Sequence, residues 1–246
     1  MRITTIIPRR GINDEGLGKK HALHRLISTA DTDYVWLQDD DIEPAQHTPQ
    51  TDADLLILPL RMVGGASLLE RLQVAEYAAI QQLTIVTAQR GRPVLCSGAN
   101  MIVRRDRWLE SYHDLHPDIP SGDDMFLLES FKRRGLRIEV LDDPDYTATV
   151  HALSSWRDFW HQRMRWASKA PHYTNRDIVN LGIVVVVANV LQLICPLVIL
   201  IKFPLEYRLI KKRDASVSFF DAFILEMCYP FYMLISIIGG LFRKQW

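Results

Sequence analysis

Three consecutive aspartates, Asp39-Asp40-Asp41, directly follow the apolar segment 34–38 and precede Ile42-Glu43-Pro44. Adjacent carboxylates repel one another, so such a run calls for a counter-cation. One residue separates Asp39 from Asp41, and a turn there can point both at one ion. Hard oxygen ligands suit Mg²⁺ or Mn²⁺, which keep several waters and share phosphate oxygens with a substrate. The competing account is a solvated acidic turn, because so short a match often arises by chance. A second acidic pair, Asp123-Asp124, follows Ser121-Gly122 at the head of a helical pattern. Either carboxylate can take the proton of an attacking hydroxyl. The same residues also make a good helix start, with Ser121 as N-cap and both acids favoured by the helix dipole.

Two further segments offer polar chemistry. Ser97-Gly98-Ala99-Asn100 is a small-residue loop that either lets a ligand approach the backbone or is a plain turn. Gln162-Arg163-Met164-Arg165-Trp166 can clamp a diphosphate with a guanidinium fork and stack an aromatic ring. It suits equally a basic helix that touches lipid head groups.

The elements that must position these residues alternate in type. Segments 2–7 and 34–38 read as strands, rich in β-branched and aromatic residues. Between them Gly18-Lys19-Lys20 opens a helix with Ala22, Leu23, Leu26, Ile27 and Ala30 on one face. The apolar run 55–60 fits a strand covered on both sides. Leu68, Leu72, Ala75, Ala79, Leu83 and Val86 recur at helical spacing until Gly91 and Pro93 end the pattern. Short strands are expected at 94–96 and 101–103, a helix over 123–134 and a strand over 137–141. This alternation predicts an α/β layered domain over 1–150, with the aspartate run at the sheet edge where such folds bind ligands. Ser154 or Ser155 caps a further helix with Asp158, and its aromatic and basic residues predict an interfacial connector over 151–177.

The remainder, 178–246, is dominated by two apolar runs at 178–201 and 219–242. About 20 residues suffice to cross the hydrocarbon core, so both runs predict membrane helices. The chain has 29 Lys and Arg against 29 Asp and Glu, a formal net charge of zero, which removes any bulk electrostatic case for nucleic acid. Cys96, Cys195 and Cys228 lack metal-ligand spacing and suggest no disulfide framework, in keeping with a reducing compartment. The N-terminal apolar run is too short for a signal peptide. Arg208, Lys211, Lys212 and Arg213 lie between the apolar runs, while Arg165, Lys169 and Arg176 precede them and Arg243 and Lys244 follow. A simple hairpin puts the middle cluster outside, against the positive-inside tendency, unless one run is re-entrant or interfacial.

Taken in order, Gly-Lys-Lys-His-Ala-Leu at 18–23, Asp-Asp-Asp at 39–41, Ser-Gly-Ala-Asn at 97–100, Gly-Asp-Asp at 122–124 and Gln-Arg-Met-Arg-Trp at 162–166 form a set. Followed by apolar helices, this set resembles the family 2 glycosyltransferases, relatives of the cellulose, hyaluronan and ceramide glucosyl transferases. The resemblance implies a GT-A-like α/β domain followed by C-terminal transmembrane helices. It implies a nucleotide-sugar donor, a lipid or glycan acceptor, Mg²⁺ or Mn²⁺, inversion at the anomeric carbon, and a catalytic domain on the cytoplasmic side of the cell membrane. By position, it implies that Asp39 contacts the nucleotide or sugar and Asp41 ligates the metal, with Asp39 and Asp40 beside the donor. Asp124 would be the base, with Asp123 as the fallback. Lys19 or Lys20, Ser97, Gly98 and Asn100 would line the donor, and Gln162, Arg163, Arg165 and Trp166 would close on the diphosphate. The family's opening strand, ending in a Pro-x-x-Asn-Glu-like motif, has no counterpart at the right distance before Asp39, so the first strand–helix unit is expected to be absent. A truncated, non-catalytic membrane subunit or gene remnant is the alternative. A small transporter is disfavoured, because the apolar runs lack paired charges apart from Asp221 and Glu226.

Overall fold

The computed structural model describes residues 1–8, 18–119 and 121–242; Arg243 and Lys244 lie outside them. The chain divides into two compact units, Met1–Leu60 with Thr84–Val150, and Arg61–Leu83 with His151–Trp246. Residues 61–83 group with the C-terminal helices.

The first unit is built on strand β1 (Ile3–Ile6), helix α1 (Lys19–Thr29), strand β2 (Tyr34–Gln38) and strand β3 (Leu55–Ile57). After the excursion formed by strand β4 (Leu60–Val63) and helix α2 (Leu68–Gln89) come strand β5 (Asn100–Arg104), helix α3 (Arg105–Ser111), helix α4 (Asp123–Arg133), strand β6 (Ile138–Val140) and strand β7 (Ala148–His151). The main sheet has the order β1-β2-β5-β3-β6, and β4 with β7 forms a separate ribbon. Strand β1 runs parallel to β2 and β3 parallel to β6, whereas β5 is antiparallel to both β2 and β3.

Every residue of β2 and β3 is buried, which is why their sequences are apolar without alternation. The run 55–60 does not remain one strand. Pro59 has no N–H to continue the ladder, so β3 ends at Ile57 and the chain restarts as β4 at Leu60. Segment 94–96, expected as a strand, has no regular structure. Glycines close two of the long helices as expected: Gly91 (φ 71°) follows α2 and Gly135 (φ 65°) follows α4, each in the left-handed region. The core between sheet and helices is filled by Leu23, Ile27, Trp108, Phe126 and Phe131, all almost fully buried.

Strands β2 and β5 are tied by more than their ladder. The Trp36 indole donates to Asn100 Oδ1 at 2.9 Å, and Asn100 Nδ2 donates to the carbonyls of Pro59 at 2.9 Å and Tyr146 at 3.2 Å. The amide therefore connects the ends of four segments from a site only 1% exposed.

The second unit adds helices α5 (Trp156–Ala167), α6 (Arg176–Ile194), α7 (Ile199–Arg213) and α8 (Phe219–Phe242). Ser155 caps α5 by accepting the Asp158 N–H at 3.4 Å. Helices α6 and α8 are long and apolar enough to cross a membrane. The stretch between them, expected as a basic loop, is largely α7, whose last turn carries Lys211, Lys212 and Arg213, favourable at a helix C-terminus. Both acids of the apolar runs have partners: Asp221 pairs with Arg71 at 3.1 Å and Glu226 with Lys202 at 2.7 Å. Helix α8 approaches α5 closely because Gly240 has no side chain; a Cβ there would lie 2.9 Å from Ser168 N and 3.0 Å from Met164 O.

The Asn100 amide gives a first test. Asn100→Ala leaves the buried Trp36 N–H and the Tyr146 carbonyl without this partner, while the Pro59 carbonyl keeps the Ala148 N–H. It is expected to cost about 2–4 kcal/mol of stability, read as a lower denaturation midpoint of the purified protein.

Candidate functional site

In the first unit charged residues converge from three elements. Strand β2 ends at Gln38, so Asp39 emerges at its carboxyl end, half-buried, and Asp40 and Asp41 form the exposed turn that follows. Helix α1 begins at Lys19, which reaches across to Asp39: Nζ lies 2.5 Å from Asp39 Oδ1. The same ammonium is 3.7 Å from Asp123 Oδ2 on the first turn of α4. Burial alone would lower the Lys19 pKa, but the charges of Asp123 and Asp39 outweigh it and hold the ammonium well above its ordinary range.

The α4 N-terminus differs from its expected form. The N-cap is Gly122 in the left-handed region (φ 87°), with no side-chain cap, so the expected Ser121 capping box is not made. Asp124 instead turns to the loop: its Oδ2 accepts the Gly98 N–H at 3.2 Å and its Oδ1 accepts the Met125 N–H at 2.7 Å. Gly98 eases this closeness. A Cβ at 98 would lie 3.1 Å from Asp123 Oδ2 and 3.6 Å from Lys19 Nζ. Ser97 faces its own loop, its hydroxyl accepting the Ala99 N–H at 3.3 Å. Burial, then Asp124 and Asp123, raises the neighbouring Cys96 thiol well above its ordinary value, so it is neutral and no nucleophile.

Lys19, Asp39, Gly98, Asp123 and Asp124 are thus brought together, with Asp40 and Asp41 adjoining. Two other expected donor-lining residues are turned inward. The Lys20 ammonium is buried against the carbonyls of Leu115 (2.5 Å) and His116 (2.8 Å), and Asn100 is the core strut described above. Helical periodicity could not separate Lys19 from Lys20, because adjacent positions differ by only about 100° around the axis.

Among the described residues no group of three or more His, Cys, Asp or Glu side chains could hold a metal ion by itself. Asp39 and Asp41 are nonetheless hard oxygen donors at one turn, and they fit a cation that takes its remaining ligands from water and a diphosphate.

In the second unit Arg163 is buried in α5, its guanidinium paired with the Glu76 carboxylate of α2, which also accepts the Tyr232 hydroxyl of α8. Its Cζ stands 4.7 Å from the Phe159 ring centroid and 4.4 Å from that of Trp166. Arg163 was expected to grip a diphosphate; its guanidinium is instead paired with Glu76 and also donates to Gln162 Oε1. Gln162, Arg165 and Trp166 are half-buried. The sequence carried a signal for this anchor, since Glu76 interrupts the apolar pattern of α2, but nothing local named its partner.

The profile of glycosyl transferase family group 2 matches residues 30–238. The chain belongs to that family. The match includes every acidic site residue and the 162–166 segment, and starts after Lys19. No curated relative matches the sequence. Among solved structures the glycosyltransferase is similar to the mannosyltransferase PcManGT from Pyrobaculum calidifontis, in complex with GDP-Man and Mn²⁺. That likeness has a TM-score of 0.52 and 16% identity, covering 96% of this chain and 68% of that one. It shows the fold, an α/β domain of GT-A type; α6 and α8 are the two long apolar helices of the chain. A crystal structure of a mycobacterial protein matches at a TM-score of 0.29 and 18% identity, over 61% of this chain and 50% of that one, and carries no argument.

Two outcomes test these environments. Partial desolvation of its carboxylate, on a side chain otherwise exposed, and then the Asp39 charge raise the Asp41 pKa above its ordinary value. A raised carboxyl contributes stability that is present below the unfolded pKa and lost as pH rises through the folded one. Asp41→Asn is therefore expected to raise the melting temperature of the ligand-free glycosyltransferase at neutral pH, with the gain shrinking toward acid pH. In the second unit, Arg163→Met strands the buried Glu76 charge and is expected to cost about 3–5 kcal/mol. Adding Glu76→Met should restore most of it, as read by denaturant unfolding.

Proposed function

We propose that the glycosyltransferase moves a sugar from a nucleotide-sugar donor to a lipid or glycan hydroxyl, with inversion and with Mg²⁺ or Mn²⁺ on the donor diphosphate. The observation that carries this reading is the convergence of Asp39, Lys19, Gly98, Asp123 and Asp124 at one end of the sheet. Asp39 and Asp41 are the residues assigned to the metal. Gly98 leaves room for close approach to the sugar. Asp124, held in one orientation by two backbone N–H groups, is assigned as the base, with Asp123 as the alternative. In the step itself the carboxylate takes the acceptor O–H proton, and the freed oxygen bonds to the anomeric carbon. The bond from that carbon to the diphosphate oxygen breaks on the opposite face. A bound divalent cation supplies positive charge to the departing diphosphate. Gln162, Arg165 and Trp166 are assigned to donor binding on their pattern.

The two long apolar helices support attachment to a membrane, with the first unit on its cytoplasmic side, and an acceptor drawn from that surface. The GDP-Man and Mn²⁺ bound by the solved mannosyltransferase make GDP-mannose the first donor to try.

Calorimetric titration of GDP and UDP with and without Mn²⁺ tests the donor assignment. Binding is expected to need the metal and to be lost in Asp41→Ala. Asp124→Asn should retain donor binding yet lower turnover roughly 10²–10⁴-fold. Binding that ignores both Mn²⁺ and Asp41 would refute the reading.

A further inference from the structure

Lys19 occupies an unusual place for a donor-contacting residue: it lies between the carboxylates rather than beside them. Its ammonium is 2.5 Å from Asp39, assigned above to the metal, and 3.7 Å from Asp123, assigned as the alternative base. Gly98 closes the same spot, since any side chain there would meet Asp123 and the ammonium. We propose that Lys19 is an exchangeable counter-cation. It neutralises Asp39 and Asp123 before the donor binds, then yields Asp39 to the incoming metal and moves to a phosphate oxygen. The inference rests on the donor reading given above.

Removing a positive charge from between close carboxylates is unfavourable unless another replaces it. A metal ion arriving alone must displace Lys19 from Asp39 and leave the ammonium with only the longer contact to Asp123. A metal ion arriving with a nucleoside diphosphate brings the anion to which the ammonium can transfer. The flexible four-carbon stem of lysine permits this, and Lys19 stands at the first residue of α1. Lys20, buried and fastened to the carbonyls of Leu115 and His116, has no such freedom. Metal and diphosphate then bind with positive coupling, and by reciprocity each strengthens the other equally.

The proposal makes opposite predictions for the two ligands of a single variant. Mn²⁺ binding is measured alone, by the loss of the free-ion electron paramagnetic resonance signal. GDP and UDP binding is measured calorimetrically at saturating Mn²⁺. Lys19→Met is expected to bind Mn²⁺ alone roughly three- to tenfold more tightly than the natural chain, and the diphosphate more weakly by a similar factor. Lys19→Arg, which keeps the cation, should stay within about twofold of the natural chain for Mn²⁺ alone. Should Lys19→Met fail to fold, judged by circular dichroism, Lys19→Gln carries the same measurements. Unchanged or weakened Mn²⁺ binding would make Lys19 a fixed strut and overturn the exchange. Tighter Mn²⁺ with unchanged diphosphate affinity would overturn the transfer to phosphate. If the natural chain binds neither diphosphate with Mn²⁺ present, the donor reading falls and the exchange with it. The first two results leave the donor reading standing.

Discussion

The site in this glycosyltransferase depends on the balance of charge around one ammonium group. Asp39 at the end of β2 and Asp123 on the first turn of α4 both come within 4 Å of Lys19, and Asp124 is fastened to the loop at Gly98. Carboxylates this close repel each other strongly wherever water is partly excluded. The fold can hold them only because a cation stands among them and backbone N–H groups face them. Each supporting feature serves this arrangement: the left-handed Gly122 that aims the α4 N-terminus, the side-chain-free Gly98, and the Asn100 strut holding β2 against β5. The raised Asp41 pKa is the residual cost, a carboxylate less content in the folded protein than in water.

The second unit applies the same rule without exposing the charge. Arg163 and Glu76 are both almost fully buried, and their pairing is completed by the Tyr232 hydroxyl and by two aromatic rings that cover the guanidinium. A buried pair of this kind contributes little net stability beside an apolar replacement, but it tolerates no single deletion. It joins α2, α5 and α8 in one orientation, and so sets the direction of the helix that carries Gln162, Arg165 and Trp166. The acids of the apolar helices follow suit, Asp221 with Arg71 and Glu226 with Lys202.

Much of the outline was legible in residue order. The helix over 68–89, its glycine stop, the buried strand before the aspartates and the two apolar runs each follow from local periodicity and punctuation, which need no knowledge of distant contacts. The failures were also local in origin. Segment 94–96 looked like a strand but had no ladder to join, and the run 55–60 was divided by Pro59. Strand direction was invisible too, because the two-residue period of β5 is the same whichever way it runs between β2 and β3.

For the site, the sequence by itself determined the residue types and their order: the aspartate run, the second acidic pair, the small-residue loop and the Gln162–Trp166 segment. Those suffice to mark the family, because chemistry restricts which side chains can meet a metal and a diphosphate. Only the tertiary structure decided which of them face one another. It turned Lys19 to the carboxylates and Lys20 to the core, made Asn100 a strut, assigned Arg163 to Glu76, and bound Asp124 to the backbone of Gly98. The physical reason is that partners such as Lys19 and Asp123 are about a hundred positions apart in the chain. No local pattern encodes such a meeting; it exists only once the sheet and helices have closed around it.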